Sequence, residues 1–339
     1  MTKYFNKCTV SAIFYGLFLL SSCSAIANEA MTTLPSDQTQ GGSALIIQRA
    51  NGGDSVAMVQ MGITSVLQGK LDEAYEWYKR AAEIGNPFGQ YAIAMFHYEG
   101  HGVVRDLKLA STYMEKSALQ GFDMAQHQYG KFLIEGIGVK KDIEKGLSWL
   151  HKALEQNYLP AKATLGELYW KDSIVKKDLT LARQLLKEGA EAGDLVAQGN
   201  YGEFLIAQES AQDYEMGIIW LKKAADAQEP KALYVYGVHL LETSRGKQDE
   251  AMKYIKASVM KGYAPAQTFL GVLILDSNAP ENYHYASPLL MDAAIQNEPF
   301  AMYYLGLMYE TGKGVELNKE RADRWFKKSC EAGCRKACR

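Results

Sequence analysis

The sequence predicts an all-α protein, a right-handed α/α solenoid of about eight helix-turn-helix repeats, and three observations predict it. A small residue returns every 32 to 36 positions, at Ala57, Gly89, Ala125, Ala161, Ala197, Ala232, Ala266 and Ala301. Four and five positions later comes an apolar-small pair, from Met61-Gly62 to Leu305-Gly306. In the second half of each unit a further small residue (Ala74, Ala110, Gly146, Ala182, Gly217, Ala251, Ala286, Ala322) precedes by three a large one (Trp77, Tyr113, Trp149, Leu185, Trp220, Tyr254, Leu289, Trp325). Spacings of three and four are helical in both halves. A hairpin of two such helices cannot bury its apolar face alone, so successive units must stack.

Along the chain, the first element is a leader. Residues 1–27 carry Lys3 and Lys7, then an apolar stretch too short to span a bilayer, then small residues, the pattern of a secretory signal. Leu20-Ser21-Ser22-Cys23 resembles a bacterial lipobox, which makes residues 1–22 the signal and Cys23 the lipidated N-terminus; Ala25-Ile26-Ala27 offers an ordinary cleavage site instead. With Ser24 following the cysteine, the expected location is the periplasm, anchored to the outer membrane as a lipoprotein. Residues 23–44 are polar and hold Pro35 and the Gly41-Gly42 pair, and are expected to be a flexible tether. The repeat domain is expected over residues 45–339.

Within the repeats, glycine at a recurring mid-helix position such as Gly166 or Gly237 costs roughly 0.5–1 kcal/mol against alanine. Its return therefore predicts close approach of a neighbouring helix. Each unit closes on Gly85, Gly121, Asn157, Gly193, Gln228, Gly262, Asn297 or Gly333, mostly residues that tolerate a left-handed helix end.

Composition narrows function further. With 37 Lys and Arg against 39 Asp and Glu and no long run of either sign, nothing marks a nucleic-acid partner or a polybasic membrane segment. Gly100-His101-Gly102 and Gly136-Ile137-Gly138 lack the strand and the third glycine or Gly-Lys-Ser/Thr of a phosphate loop, and read as hairpin turns. His97, Glu99 and His101 come near a zinc-protease motif, but the glutamate is misplaced and no metal site is expected. Ser173 and Ser258 each stand three before a lysine, as in penicillin-recognising enzymes, without the companion motifs. No catalytic residue and no cofactor is expected.

The inter-helix loops YEGHGVVRDLKLA (98–110), IEGIGVKKDIEKG (134–146) and YETGKGVELNKERA (309–322), with A-x-x-x-L-G before and WLKKAADAQ (220–228) as an example behind, resemble the Sel1-like repeat family, a relative of the tetratricopeptide repeat. The resemblance covers about residues 54–337, with altered loops in units one, six and seven. It implies a non-catalytic scaffold that binds another protein. Relatives serve signalling, envelope assembly, host contact and immunity against secreted phospholipase effectors, so the partner is expected to be a protein, with a secreted effector as one form. A cell-wall or β-lactam-directed hydrolase and a host-protein binder stand as alternatives. By analogy with tetratricopeptide solenoids, the concave groove is expected to present Tyr91, Met95, Tyr98, His127, Lys131, Glu167, Trp170, Glu203, Tyr234 and Tyr303. Aromatics among a few charges suit a polypeptide ligand.

Three cysteines close the repeats in SCEAGCRKACR (329–339). Cysteine-rich members of the family join the two helices across such a turn, which implies a Cys330–Cys338 disulfide in an oxidising compartment. Cys334 is left as an alternative partner or a free thiol.

Overall fold

The computed structural model describes residues 40–171, 175–244, 246–277 and 279–338. The stretch read as a leader, Cys23, most of the stretch read as a tether and Ser173 lie outside the described residues. Helix α1 (Gln40–Asn51) begins inside the stretch read as tether. Sixteen further helices follow as eight hairpins, with no strand among the described residues. The pairs are α2 (Ser55–Leu67) with α3 (Leu71–Glu83), α4 (Pro87–Glu99) with α5 (Leu107–Leu119), and α6 (Asp123–Glu135) with α7 (Ile143–Glu155). Then come α8 (Leu159–Lys171) with α9 (Leu179–Glu191), α10 (Leu195–Ile206) with α11 (Ala211–Asp226), and α12 (Pro230–Thr243) with α13 (Gln248–Met260). The last are α14 (Ala264–Asp276) with α15 (Ala286–Ile295), and α16 (Pro299–Thr311) with α17 (Lys319–Glu331). The chain divides into two compact units, up to residue 161 and from residue 162.

The second helices begin by one recurring device. Asp106, Asp142, Asp178 and Asn318 each accept from the backbone N–H three residues on, at Leu109, Lys145, Leu181 and Arg321, satisfying a donor that the first turn leaves open. The same four residues donate their own N–H to the carbonyls of His97, Leu133, Tyr169 and Tyr309. The loop is thus tied at both ends. The glycines inside it are structural: a Cβ on Gly138 would lie 1.8 Å from the Leu107 carbonyl oxygen. First helices start on Pro87, Pro230 and Pro299, whose carbonyls accept from the buried hydroxyls of Ser117, Ser258 and Ser329.

The recurrent mid-helix glycines sit where the two helices of a hairpin touch. A Cβ on Gly202 would fall 2.7 Å from the Leu221 nitrogen and 2.8 Å from the Gly217 carbonyl oxygen, while one on Gly217 would meet the Gly202 oxygen at 2.7 Å. Gly130 and Gly146 form the same reciprocal contact. Elsewhere a large side chain fills the gap, with Tyr78 over Gly62, Leu186 over Gly166 and Phe326 over Gly306. Helix ends follow the expected rule with one exception in kind: Gln228 takes φ +67° where the other units have Gly or Asn.

Beyond α17 the chain turns at Gly333 into a short 3₁₀ turn, Arg335–Ala337, and a Cys330–Cys338 disulfide closes the turn. Cys334 is the free thiol, 4% exposed, packed with Tyr309, Phe326 and Ala337. A loop this short gains about 2 kcal/mol by the chain-entropy account.

Gly202→Ala should lower unfolding free energy by roughly 1–3 kcal/mol in urea titrations, because backbone rather than a flexible side chain opposes the new methyl. An unchanged midpoint would mean that the two helices of this hairpin have room to separate. In mass mapping, iodoacetamide should leave Cys334 unmodified in the native chain and label it after denaturation, with Cys330 and Cys338 unlabelled until reduction.

Candidate protein-binding face

Within the unit from residue 162, the first helices α8, α10 and α12 bring four charges and an amide together. The Lys231 ammonium lies 2.5 Å from Glu167 Oε1, 2.7 Å from Asn200 Oδ1 and 3.3 Å from Glu203 Oε2. Lys171 Nζ reaches Glu203 Oε1 at 2.5 Å and Glu167 at 3.7 Å, and Asn200 Nδ2 donates to Glu167 Oε2 at 3.3 Å. One lysine therefore ties three successive first helices. The geometry follows from the repeat, since residues one turn apart on a helix share a face.

The set holds two carboxylates and two ammonium groups, all with side chains 20–37% exposed. Burial opposes ionisation of Glu167, yet the Lys231 charge, helped by Lys171 and the Asn200 amide, outweighs it and holds this carboxyl below its ordinary value. Burial likewise disfavours the Lys231 charge, and Glu167 and Glu203 outweigh it, so its pKa is raised. Nearby, Glu229 is buried as the cap of α12, accepting from the Ala232 N–H, and burial raises its pKa against those backbone donors.

Half-buried aromatic rings border the network. Trp170 stands edge-on to Phe204 at 5.4 Å, with Lys171 Nζ 4.7 Å from its ring. Tyr234 packs at 5.8 Å on both Tyr263 and Phe269. Burial pushes the Tyr263 hydroxyl up to about 12, with Lys231 opposing.

The expected groove residues thus separate. Glu167 and Glu203 join one network with Trp170 beside it, and Tyr234 neighbours it through Tyr263, whose hydroxyl feels the Lys231 charge. Tyr303 packs instead on Tyr304 and Phe326. In the unit up to residue 161, Tyr91 and Met95 are each only 5% exposed and belong to the core, which corrects their expected place on an open surface. For Tyr91 the reason is a lid that recurs. The residue just before the next first helix covers the position two after the small residue: Phe122 on Tyr91 (5.6 Å), Tyr158 on His127 (5.4 Å) and Tyr263 on Tyr234. Burial and then the Lys131 charge push His127 down to about 3, so it stays neutral at physiological pH. Lys131 itself is half-buried, and Tyr98 lies on Phe132 at 5.0 Å beneath Arg105.

Sequence reasoning missed Lys171, Asn200, Lys231 and Tyr263. A signal for Lys231 exists, because its repeat position is Val56, Phe88, Met124, Pro160, Val196, Pro265 and Phe300 in the other units.

The other motifs resolve into structure. His97 Nε2 lies 3.2 Å from the Tyr75 hydroxyl and its Nδ1 3.4 Å from the Val104 oxygen, while His101 pairs with Glu99 at 2.8 Å. That hydrogen bond raises the His101 pKa. Among the described residues no group of three or more His, Cys, Asp or Glu is placed to hold a metal. The Ser258 hydroxyl is buried and donates to the Pro230 carbonyl at 2.6 Å, which removes it as a nucleophile.

The Sel1 repeat family profile matches residues 55–86, 87–122, 123–158, 160–194, 196–228 and 299–334. An uncharacterised protein of Neisseria meningitidis serogroup B is 30% identical over 128 residues, 36% of this chain, and the match spans 27% of that protein's own length. Among solved structures, a Sel1 repeat protein from Oxalobacter formigenes is 23% identical with a TM-score of 0.47, covering 91% of this chain and 97% of its own. An immunity protein from Pseudomonas aeruginosa is 17% identical with a TM-score of 0.46, covering 75% and 84%.

Lys231→Met should cost roughly 2 kcal/mol at pH 7, because it leaves two part-buried carboxylates against one ammonium. The Glu167 contribution is complete above the ordinary carboxyl value of 4.5 and drains as pH falls through the lowered folded value. Urea titrations from pH 7 to pH 3 should therefore show the variant's deficit shrinking below about pH 4.5. A deficit constant across that range would contradict the pairing.

Proposed function

We propose that this chain, which belongs to the Sel1 repeat family, binds a partner protein on the first-helix face built by α8, α10 and α12. The family is a repeat scaffold that typically mediates protein binding. The observation carrying the reading is the Lys171–Lys231–Glu167–Glu203 network bordered by the half-buried rings of Trp170, Tyr234 and Tyr263. Rigid aromatics beside pre-positioned charges are what interface hot spots are made of. Holding the charged side chains in place beforehand lowers the ordering cost at the moment of binding.

The same proposal places the protein in the cell envelope, exported and lipid-anchored through Cys23. Lys3, Lys7, the apolar stretch and Leu20-Ser21-Ser22-Cys23 support this, and the Cys330–Cys338 disulfide fits an oxidising compartment. Of the two serines considered for a hydrolase, Ser258 is buried and donates to the Pro230 carbonyl, which does not suit a nucleophile.

In a pull-down from envelope extract, a Trp170→Ala/Tyr234→Ala variant with an unchanged thermal midpoint should lose the proteins that the wild type retains. Recovery of the same set by both would place the binding elsewhere. Palmitate labelling should mark the wild type and be absent from Cys23→Ala; labelling of both, or of neither, would remove the anchor.

A further inference from the structure

The near-neutral composition conceals a local asymmetry. Residues 319–336 hold seven of the chain's 37 Lys and Arg but three of its 39 Asp and Glu, a surplus of four positive charges on a chain of net −2. No run of cations marks it, because the residues are spaced along α17 and continue past a turn. The fold gathers them. Ala322, Phe326 and Ser329 are buried beneath α17, which leaves Arg321, Arg324, Lys327 and Lys328 exposed on its outer side. The Cys330–Cys338 disulfide then holds the following turn, in which Cys334 and Ala337 are buried and Arg335 and Lys336 between them are exposed.

Few of these charges are spent internally. Arg324 pairs with Glu320 in an exposed contact, and among the described residues no other ion pair involves the six cations. Arg321 lies over the Tyr309 ring at 5.6 Å and Lys328 over the Trp325 ring at 4.8 Å. Trp325 itself is half-buried, an indole at the margin of the cationic surface, the place such rings take at membrane interfaces. Lysines at the end of a helix also complement its dipole, but that explains Lys327 and Lys328 alone and not Arg335 or Lys336.

We infer that the outer side of α17, with the disulfide-closed turn after it, docks on an anionic phospholipid surface. The choice of a bilayer over an acidic polypeptide rests on three features. The cations are exposed side chains spread along one side of a helix and over the turn after it. The apolar face of α17 is already buried, so that contact is mainly electrostatic, with the Trp325 indole at its margin. The rest of the chain is net negative, so an anionic surface attracts this part and repels the remainder. The inference stands on residues apart from the first-helix face and goes beyond the protein-binding proposal; its failure would leave that proposal untouched.

The test is co-sedimentation of the full chain, with Cys23→Ala so that no lipid is attached, with large vesicles. Binding is expected to vesicles of phosphatidylcholine with about a third phosphatidylglycerol, at least tenfold stronger than to phosphatidylcholine alone, and lost in 0.5 M NaCl. A Lys327→Glu/Lys328→Glu/Arg335→Glu/Lys336→Glu variant should lose at least tenfold in affinity with its thermal midpoint and its disulfide kept. Should that variant unfold, Arg335→Gln/Lys336→Gln alone is read, with an expected loss of severalfold. No pelleting with anionic vesicles, equal pelleting of wild type and variants, displacement by millimolar inorganic phosphate, or retention on polyglutamate but not on vesicles would each overturn it.

Discussion

How closely two helices can approach within a hairpin is the constraint on which the structure depends. At Gly130–Gly146 and Gly202–Gly217 the backbones themselves meet, each glycine lying where a Cβ would strike the partner's carbonyl oxygen. At Gly62, Gly166, Gly237, Gly271 and Gly306 the glycine instead receives a ring or a branched side chain from the second helix, and in the hairpin α4/α5 Ala94 takes its place. Either way the axis-to-axis distance is set by a space only a small residue leaves. This geometry also carries the loops, since the capping carboxylates Asp106, Asp142 and Asp178 return their own N–H groups to the first helix just closed.

Once the hairpins are fixed, their first helices lie near enough for side chains to bridge from one repeat to the next, and two solutions appear. In the unit up to residue 161 the bridges are aromatic, with Phe88, Tyr91 and Phe122 in mutual contact. From residue 162 ionic bridges join the aromatic ones, with Lys231 reaching Glu167 two repeats away beside the Trp170–Phe204 and Tyr234–Tyr263 contacts. An ionic bridge of this burial adds little net stability, because desolvation of four charges offsets most of their attraction. What it contributes is a fixed arrangement of charge beside aromatic edges. A partner would meet side chains already held in place.

Much of this architecture is legible in the order of residues alone. The 32–36 residue spacing marks all eight hairpins, including α12/α13 and α14/α15, which fall outside the segments matched by the family profile. Repeat-frame positions locate the first-helix face for Glu167, Trp170 and Glu203. They fail at Met95, which lies in the core, and at Tyr91, because a position index gives the direction of a Cβ but not the size of what the next repeat lays over it. Phe122 does so for Tyr91. Lys231 escapes because it stands one before the small residue, a position that is apolar in the other units and so reads as core. The basic side of α17 escapes because charges spaced by helical turns form no run in the sequence.

Hydrogen–deuterium exchange on the chain with and without its captured partner tests the central claim most directly. Binding on the first-helix face predicts slowed exchange in α8, α10 and α12, strongest around residues 167–171, 200–203 and 231–234. Protection confined to the second helices α9, α11 and α13, or none in either set, would contradict it.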